Sequence, residues 1–277
     1  MIKLIASDLD GTLLTDNKKL SEVTREALDM AIGKGIHMIP ATGRSFKAVP
    51  EMIKNYPGVE YVITSNGGAV YSVSRKERIY QCLLEAESVA AVLKMERPDD
   101  IVMEIFIRGI PYSEEAYVLD PEKYGATQYG ARYVKETRIP IKNIEKFAWE
   151  HQEELDSLAF ICRDMKVKKA FAKRLEQEIP NIYVTSSVGH LLEIGHKNAG
   201  KGNTLLYLME QLGVKPEEAM AFGDADNDSS MLKAVKYGIA VANGTSECKD
   251  AAAFVTDSNE EDGVAKAIGF AADKSFI

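Results

Sequence analysis

Two rhythms of apolar and polar residues divide the chain. At its start, short apolar runs alternate with stretches of helical period. Residues 3–7 read as a buried strand, and Ser21 as the N-cap of a helix that Gly35 closes. Residues 36–39 form the next strand, a second helical stretch begins at Ser45, and residues 61–64 form a third strand ending in Ser65-Asn66-Gly67-Gly68. The far end resumes this rhythm, with a helix over 202–212 closed by Gly213 and a strand over 219–222 running into Gly223-Asp224. Short strands follow at 239–241 and 254–255. Strands that alternate with helices require right-handed crossovers, which predicts a parallel sheet covered on both faces.

The middle has a different texture. Residues 100–107 are strand-like, with Met103, Ile105 and Ile107 on one side, and residues 158–162 form another strand. Val167, Ala170, Phe171 and Leu175 then mark a helical stripe, followed by short apolar runs at 182–184 and 191–194. The expected fold class is therefore α/β. A Rossmann-like, doubly wound parallel-sheet core (residues 1–83 and 195–277) carries an inserted α+β module (residues 84–194).

Composition narrows the function classes. Of 277 residues, 45% are hydrophobic and 27% charged, ordinary values for a globular chain. Net charge is −8, which disfavours general binding to nucleic acid or anionic membrane. Cys82, Cys162 and Cys248 form no C-x-x-C pair, so neither a disulfide scaffold nor a zinc site is expected, and a reducing, cytoplasmic setting is. No apolar run approaches the ~20 residues needed to span a bilayer, and with Asp8 so soon after Met1 no signal peptide is expected.

In an open parallel sheet, ligands collect beyond the carboxyl ends of the strands. The residues there are Asp8-Leu9-Asp10-Gly11-Thr12, Ala41-Thr42-Gly43-Arg44, Ser65-Asn66-Gly67-Gly68 and Gly223-Asp224-Ala225-Asp226-Asn227-Asp228. Asp8 and Asp10 alone are consistent with an Asp-rich turn. Adding Asp224, Asn227 and Asp228 makes an oxygen-rich set of the kind Mg²⁺ takes. A calcium loop starting at Asp224 fails, with Ser229 where glycine is needed and Val235 where the closing Glu is needed. Gly195 to Gly202 matches the P-loop spacing G-x-x-x-x-G-K, but Gly202 stands where a P-loop needs a metal-binding hydroxyl. Lys201 fits an anion site in either reading, because it opens a helix between two glycines. The four histidines show no metal-ligand spacing. His37 reads as structural, and His190 and His196 are candidates for substrate contact at the module junction.

Taken together, the strand ends resemble the haloacid dehalogenase superfamily of phosphotransferases. Its motifs stand here in order as Asp8-Leu9-Asp10-Gly11-Thr12-Leu13, Ala41-Thr42-Gly43-Arg44, Lys201, and Gly223-Asp224-Ala225-Asp226-Asn227-Asp228. The insert between the second and third motifs resembles the α+β cap of the Cof-type, class IIB phosphatases. The resemblance implies that Asp8 is the nucleophile and that Asp10 is the acid/base. It implies one Mg²⁺ held by Asp8, the Asp10 backbone carbonyl and Asp224. Leu9, Thr42, Gly43, Lys201 and Asn227 become the expected phosphate contacts, with Arg44, Asn66, Gly67 and Asp228 in support. The cap would choose the substrate, with Tyr112, Tyr117, Tyr124 and Tyr129 as candidates to line it. The expected activity is Mg²⁺-dependent hydrolysis of phosphate monoesters of small metabolites, sugar phosphates foremost, through an aspartyl phosphate. A phosphomutase, a P-loop nucleotidase and a non-catalytic phosphometabolite sensor are the alternatives. Asp10 argues against the sensor, since a pure binder needs no acid/base carboxylate.

Overall fold

The computed structural model describes residues 1–98 and 100–277, and the side chain of Tyr129 also lies outside the described residues. Fourteen strands are present among them. The first five are β1 (Leu4–Ser7), β2 (His37–Pro40), β3 (Tyr61–Thr64), β4 (Ala69–Ser72) and β5 (Glu77–Gln81). Next come β6 (Val102–Ile107), β7 (Ile110–Glu114), β8 (Ile139–Ile141), β9 (Leu155–Ile161), β10 (Ile182–Thr185) and β11 (Leu191–His196). The last are β12 (Ala219–Gly223), β13 (Tyr237–Ala240) and β14 (Phe254–Val255).

One all-parallel sheet has the order β14-β13-β12-β1-β2. An isolated parallel bridge between Ala41 and Ile63 sets β3 beside β2, and β3, β4 and β5 form an antiparallel meander. Chain order runs outward from β1 to β2 on one side and from β12 through β14 on the other. The direction therefore reverses between β1 and β12, and such a switch point opens a crevice at the carboxyl ends of the strands. Asp8 and Asp10 follow β1 there, and Asp224 follows β12.

Side-chain alternation along the strands explains the double winding. Ile5 packs with Leu28 and Ala31 of the helix Glu22–Gly33 and with Val264 and Ile268 of the helix Gly263–Asp273. Leu4 and Ala6 point the other way, to Leu205, Leu208 and Met209 of the helix Lys201–Leu212. Ser21 caps the first of these helices by accepting from Thr24 N–H at 3.0 Å. The helical stretch expected from Ser45 is instead a 3-10 turn, Phe46–Ala48, and a single turn, Glu51–Lys54. Pro50 causes the break: it has no N–H to give, and it keeps Val49 extended at φ −65°, ψ 131°.

The second sheet has the order β10-β11-β9-β6-β7-β8 and is antiparallel except between β7 and β8. Met103, Ile105 and Ile107 share one face with Leu158 and Phe160, under Val89, Val92, Ala148, Phe171 and Leu175 from three helices. The opposite face carries Glu104, Phe106, Ala159 and Glu193, which line a cavity shared with Asp8, Asp10, Thr42 and Asp224. Among the described residues, no helix is long and apolar enough to cross a membrane.

Packing also explains why Gly202 is not the hydroxyl of a P-loop. The helix Lys201–Leu212 presses on the helix Ser229–Lys233, and a Cβ at Gly202 would lie 2.3 Å from the Ser230 carbonyl oxygen. Gly202→Ser should lower the stability by about 1–3 kcal/mol, the usual cost of overpacking, as a reduced midpoint in urea denaturation. An unchanged midpoint would show that the two helices are free to separate.

Candidate active site

Lys201 is the centre of the site. Gly200, at φ +116°, brings the chain into the helix, and the Lys201 side chain runs inward until it is completely buried. Its Nζ donates to Asp8 Oδ1 at 2.5 Å and to Asp228 Oδ1 at 2.6 Å. The second oxygen of Asp228 accepts from the backbone N–H groups of Asp224 and Ala225, at 2.9 and 3.0 Å. Asp228 thereby ties the turn after β12 to the lysine. Asp224 Oδ1 accepts from Thr12 Oγ1 at 2.6 Å.

Two carboxylates thus share one ammonium, and a third, Asp224, stands beside them. One oxygen from each of Asp8, Asp224 and Asp228 lies within 4.8 Å of the others. Burial raises the Asp8 pKa well above the usual carboxylate value; Lys201 opposes the shift, and the charges of Asp228, Asp224 and Asp10 add to it. Asp224 is pushed up to about 7, by burial first and then by Asp228, against Thr12 and Lys201. For Lys201 burial would favour the neutral amine, but Asp228 and Asp8 outweigh it and raise the pKa. The unbalanced negative charge and the all-oxygen donor set match what a small dication requires, so the residues present fit Mg²⁺.

The Asp10 carboxylate turns away from this cluster. Arg44 grips it with two bonds, Nε to Oδ2 at 2.6 Å and Nη2 to Oδ1 at 2.7 Å, and Lys18 Nζ is 3.1 Å from Oδ1. Burial alone would raise its pKa, but the hydrogen bonds and charge of Arg44, helped by Lys18, bring it down to about 2. Arg44 also donates to the Ala48 carbonyl at 3.0 Å, and its guanidinium lies 4.6 Å from the ring centroid of Tyr133, on the helix Gln128–Thr137. Arg138 stands 4.7 Å from the same ring and pairs with Glu104 through two bonds of 2.9 and 3.0 Å.

The other expected phosphate contacts gather around the same point. Thr42 is buried, and its backbone carbonyl accepts from Asn66 N–H at 3.1 Å. Asn66 adopts left-handed backbone geometry, with φ 52°. Gly67, at φ +90°, lies so close to Gly200 that a Cβ would sit 2.4 Å from its carbonyl oxygen. The turn after β3 therefore clamps the start of the Lys201 helix. Asn227 Nδ2 donates to Asn66 Oδ1 at 2.9 Å. The Leu9 side chain belongs to the hydrophobic core, so only its backbone is available to a ligand.

Above these residues the second sheet closes a cavity of about 380 Å³. Tyr117, Tyr133, Arg138, His190 and Glu193 line its upper side. Of the other tyrosines singled out from the sequence, Tyr112 packs on Phe147 and Tyr124 on the edge of Tyr117, while the side chain of Tyr129 lies outside the described residues. His196 is not among the lining residues; it bonds with Cys82 at 3.3 Å and Glu85 at 3.2 Å, between the two chain segments that join the sheets. Lys18, Tyr133, Arg138 and Glu193 had no motif to mark them. Glu193 alone gave a signal, as a carboxylate inside the apolar run Leu191-Leu192-Glu193-Ile194.

Residues 5–268 match the family of haloacid dehalogenase-like hydrolases. The chain belongs to that family. Two Bacillus subtilis proteins named as 5-amino-6-(5-phospho-D-ribitylamino)uracil phosphatases are 30% and 27% identical to it. The alignments cover 95% and 96% of this chain and 96% and 94% of those proteins. The solved structure of a haloacid dehalogenase-like hydrolase from B. subtilis is 26% identical, with a TM-score of 0.81 over 97% of this chain and 99% of that one. A subclass IIB sugar phosphatase of the superfamily, 21% identical, shares the fold at a TM-score of 0.82, over 99% of this chain and 100% of its own. This haloacid dehalogenase-like hydrolase is a phosphatase with an α/β fold, and it shares that fold with the subclass IIB sugar phosphatase.

The Asp10–Arg44 contact has a defined dependence on pH. With the folded-state pKa near 2 and the unfolded value near 3.9, the contact stabilises the fold above pH ~4 and loses that contribution as pH falls toward 2. Arg44→Met should move the Asp10 midpoint up toward the ordinary carboxylate range of about 4, read by ¹³C titration of its carboxyl carbon. A midpoint still near 2 would mean that Lys18 alone holds the anion.

Proposed function

We propose that the chain is a Mg²⁺-dependent phosphatase that hydrolyses phosphate monoesters of small metabolites, foremost sugar phosphates, through an aspartyl phosphate on Asp8. The observation that carries this reading is the cluster of Asp8, Asp224 and Asp228 around buried Lys201, roofed by the second sheet. Residues 1–83 and 195–277 form the catalytic core in this reading, and residues 84–194 the cap. A cytoplasmic setting agrees with the unpaired state of Cys82, Cys162 and Cys248.

Asp8, the backbone carbonyl of Asp10 and Asp224 hold the cation, with Asp228 orienting the set. Bound there, Mg²⁺ supplies positive charge that keeps Asp8 ionised beside a phosphoryl dianion. Asp8 attacks phosphorus and the ester oxygen leaves. Lys201, Thr42, the Gly43 amide, the Leu9 backbone and Asn227 hold the phosphoryl oxygens, since phosphoryl transfer asks the protein mainly for position and charge. Water then attacks the aspartyl phosphate, and Asp10 takes its proton. The anionic Asp10 of this structure is prepared for that second step; giving a proton to the leaving oxygen in the first requires it to leave Arg44 and Lys18.

The cap's contribution is selection and exclusion of water. A cavity of about 380 Å³ has room for a phosphate and a small sugar or polyol, and its polar lining of Tyr133, Arg138, His190 and Glu193 suits hydroxyl groups. The two relatives named for a phosphorylated ribityl compound point to the same class.

The test is a panel of phosphorylated metabolites assayed with and without Mg²⁺. Release of free orthophosphate from sugar or polyol phosphates is expected. Excess EDTA should abolish it while the far-ultraviolet circular dichroism stays the same. Turnover that survives EDTA would remove the metal, and an isomeric sugar phosphate in place of free phosphate would make the chain a phosphomutase.

A further inference from the structure

We propose that Glu193, on the cavity face of the second sheet, is a positioning residue that sets the orientation of the Asn66 and Asn227 side-chain amides for phosphate binding. The inference rests on the phosphate-monoester reading of the cavity and adds a residue that lies in none of the strand-end motifs.

Glu193 is 7% exposed, and each of its oxygens takes one uncharged donor. Asn66 Nδ2 donates to Oε1 at 2.9 Å, and the Ser187 backbone N–H donates to Oε2 at 2.7 Å. Asn66 Oδ1 in turn accepts from Asn227 Nδ2 at 2.9 Å. A chain of bonds thus runs from the second sheet, over the turn at Gly43, to the loop after β12. Gly43 shows how close the path is: a Cβ there would lie 2.8 Å from Glu193 Oε1 and 3.0 Å from Asn66 Oδ1.

The two ends of a side-chain amide are nearly alike in shape, so shape does not decide which way each one turns. The carboxylate does, because it can only accept. Asn66 must offer its NH₂ to Glu193, which leaves its carbonyl oxygen for Asn227. Asn227 must then offer its own NH₂. Nothing else fixes Asn227, since its Oδ1 is buried without a hydrogen-bond partner among the described residues. The Asn227 NH₂ carries a second hydrogen, which the proposal assigns to a phosphoryl oxygen in the cavity that Asn227 lines. This accounts for a carboxylate placed beside an anion site: its repulsion is offset by the donor it turns toward the ligand.

That balance gives the test its sign. If Glu193 acted only through its charge, Glu193→Gln would tighten phosphate binding. In the relay, the Gln carbonyl can satisfy Asn66 or Ser187 but not both, the amides are free to reverse, and binding weakens. The probe is inorganic phosphate with Mg²⁺, titrated by calorimetry and as a competitive inhibitor of aryl phosphate hydrolysis. Losing one hydrogen bond to a charged group predicts a loss of affinity of about 10- to 100-fold. Asn66→Gly, which keeps the left-handed backbone and removes the amide, should lose the same amount and serves if Glu193→Gln does not fold. In an Asn227→Ala background, Glu193→Gln should cost nothing more. Unchanged or tighter binding by Glu193→Gln, or a further loss on top of Asn227→Ala, would overturn the relay while leaving the phosphatase reading intact. If the unsubstituted chain bound no phosphate, the site and the relay would fall together.

Discussion

A lysine ammonium with no access to solvent has to be surrounded by anions, and most of this site follows from that requirement. Lys201 meets it with Asp8 from the end of β1 and Asp228 from the loop after β12. These are the two strands between which the sheet changes direction. Removing one partner of a buried ion pair typically costs about 3–5 kcal/mol, so the lysine holds the two strand ends and its own helix in one arrangement. Asp224 is then left near the pair with Thr12 bonding its side chain, and its pKa rises to about 7. The fold thus keeps an excess of negative charge at the switch point, which is an unstable design for a structural core and a suitable one for a cation and a phosphate.

The second sheet reaches this centre through two different kinds of contact. Tyr133 lies against Arg44, which in turn holds Asp10, so the helix Gln128–Thr137 bears on the Asp10 carboxylate. Glu193 bears on the Asn66 and Asn227 amides instead. Both contacts are between charged or polar groups that water would serve as well, whereas the apolar clusters of the two sheets are separate. Away from the site the two sheets are tied more firmly: Arg78 of β5 pairs with the buried Asp156 of β9 at 2.6 Å, and the Lys47 N–H donates to the Gly109 carbonyl at 2.9 Å.

Much of this was legible in the sequence, for physical reasons that also mark where legibility ended. Parallel strands buried on both faces read as apolar runs, so β1 and β12 stood out. Polar residues directly after such runs, at Asp8, Thr42 and Asp224, were visible because strand ends interrupt the apolar pattern. The meander strands β4 and β5, the strand β7 and the edge strand β8 were not read. Residues 77–81 are partly exposed and β8 contains Pro140, so neither shows a clean alternation. Pro50 broke a helix whose apolar spacing looked continuous. Lys18, Tyr133 and Arg138 were hidden because their role comes from tertiary approach, Lys18 and Arg44 meeting on Asp10 and the two arginines on one ring. No local spacing encodes such a meeting.

The proposed reaction depends on a carboxylate oxygen of Asp8 receiving the phosphoryl group. Asp10→Asn removes the carboxylate proposed to transfer protons, a group of a kind that contributes about 10²–10⁴-fold in rate. An activated aryl phosphate needs no protonation to leave, so this variant should still load Asp8 and then stall before hydrolysis. Incubation with such an ester, an acid quench and intact-mass analysis should show a phosphorylated chain, with the modification mapping to Asp8 and absent from Asp8→Asn. A phosphoryl group found on serine, threonine or histidine, or normal turnover by Asp8→Asn, would contradict it.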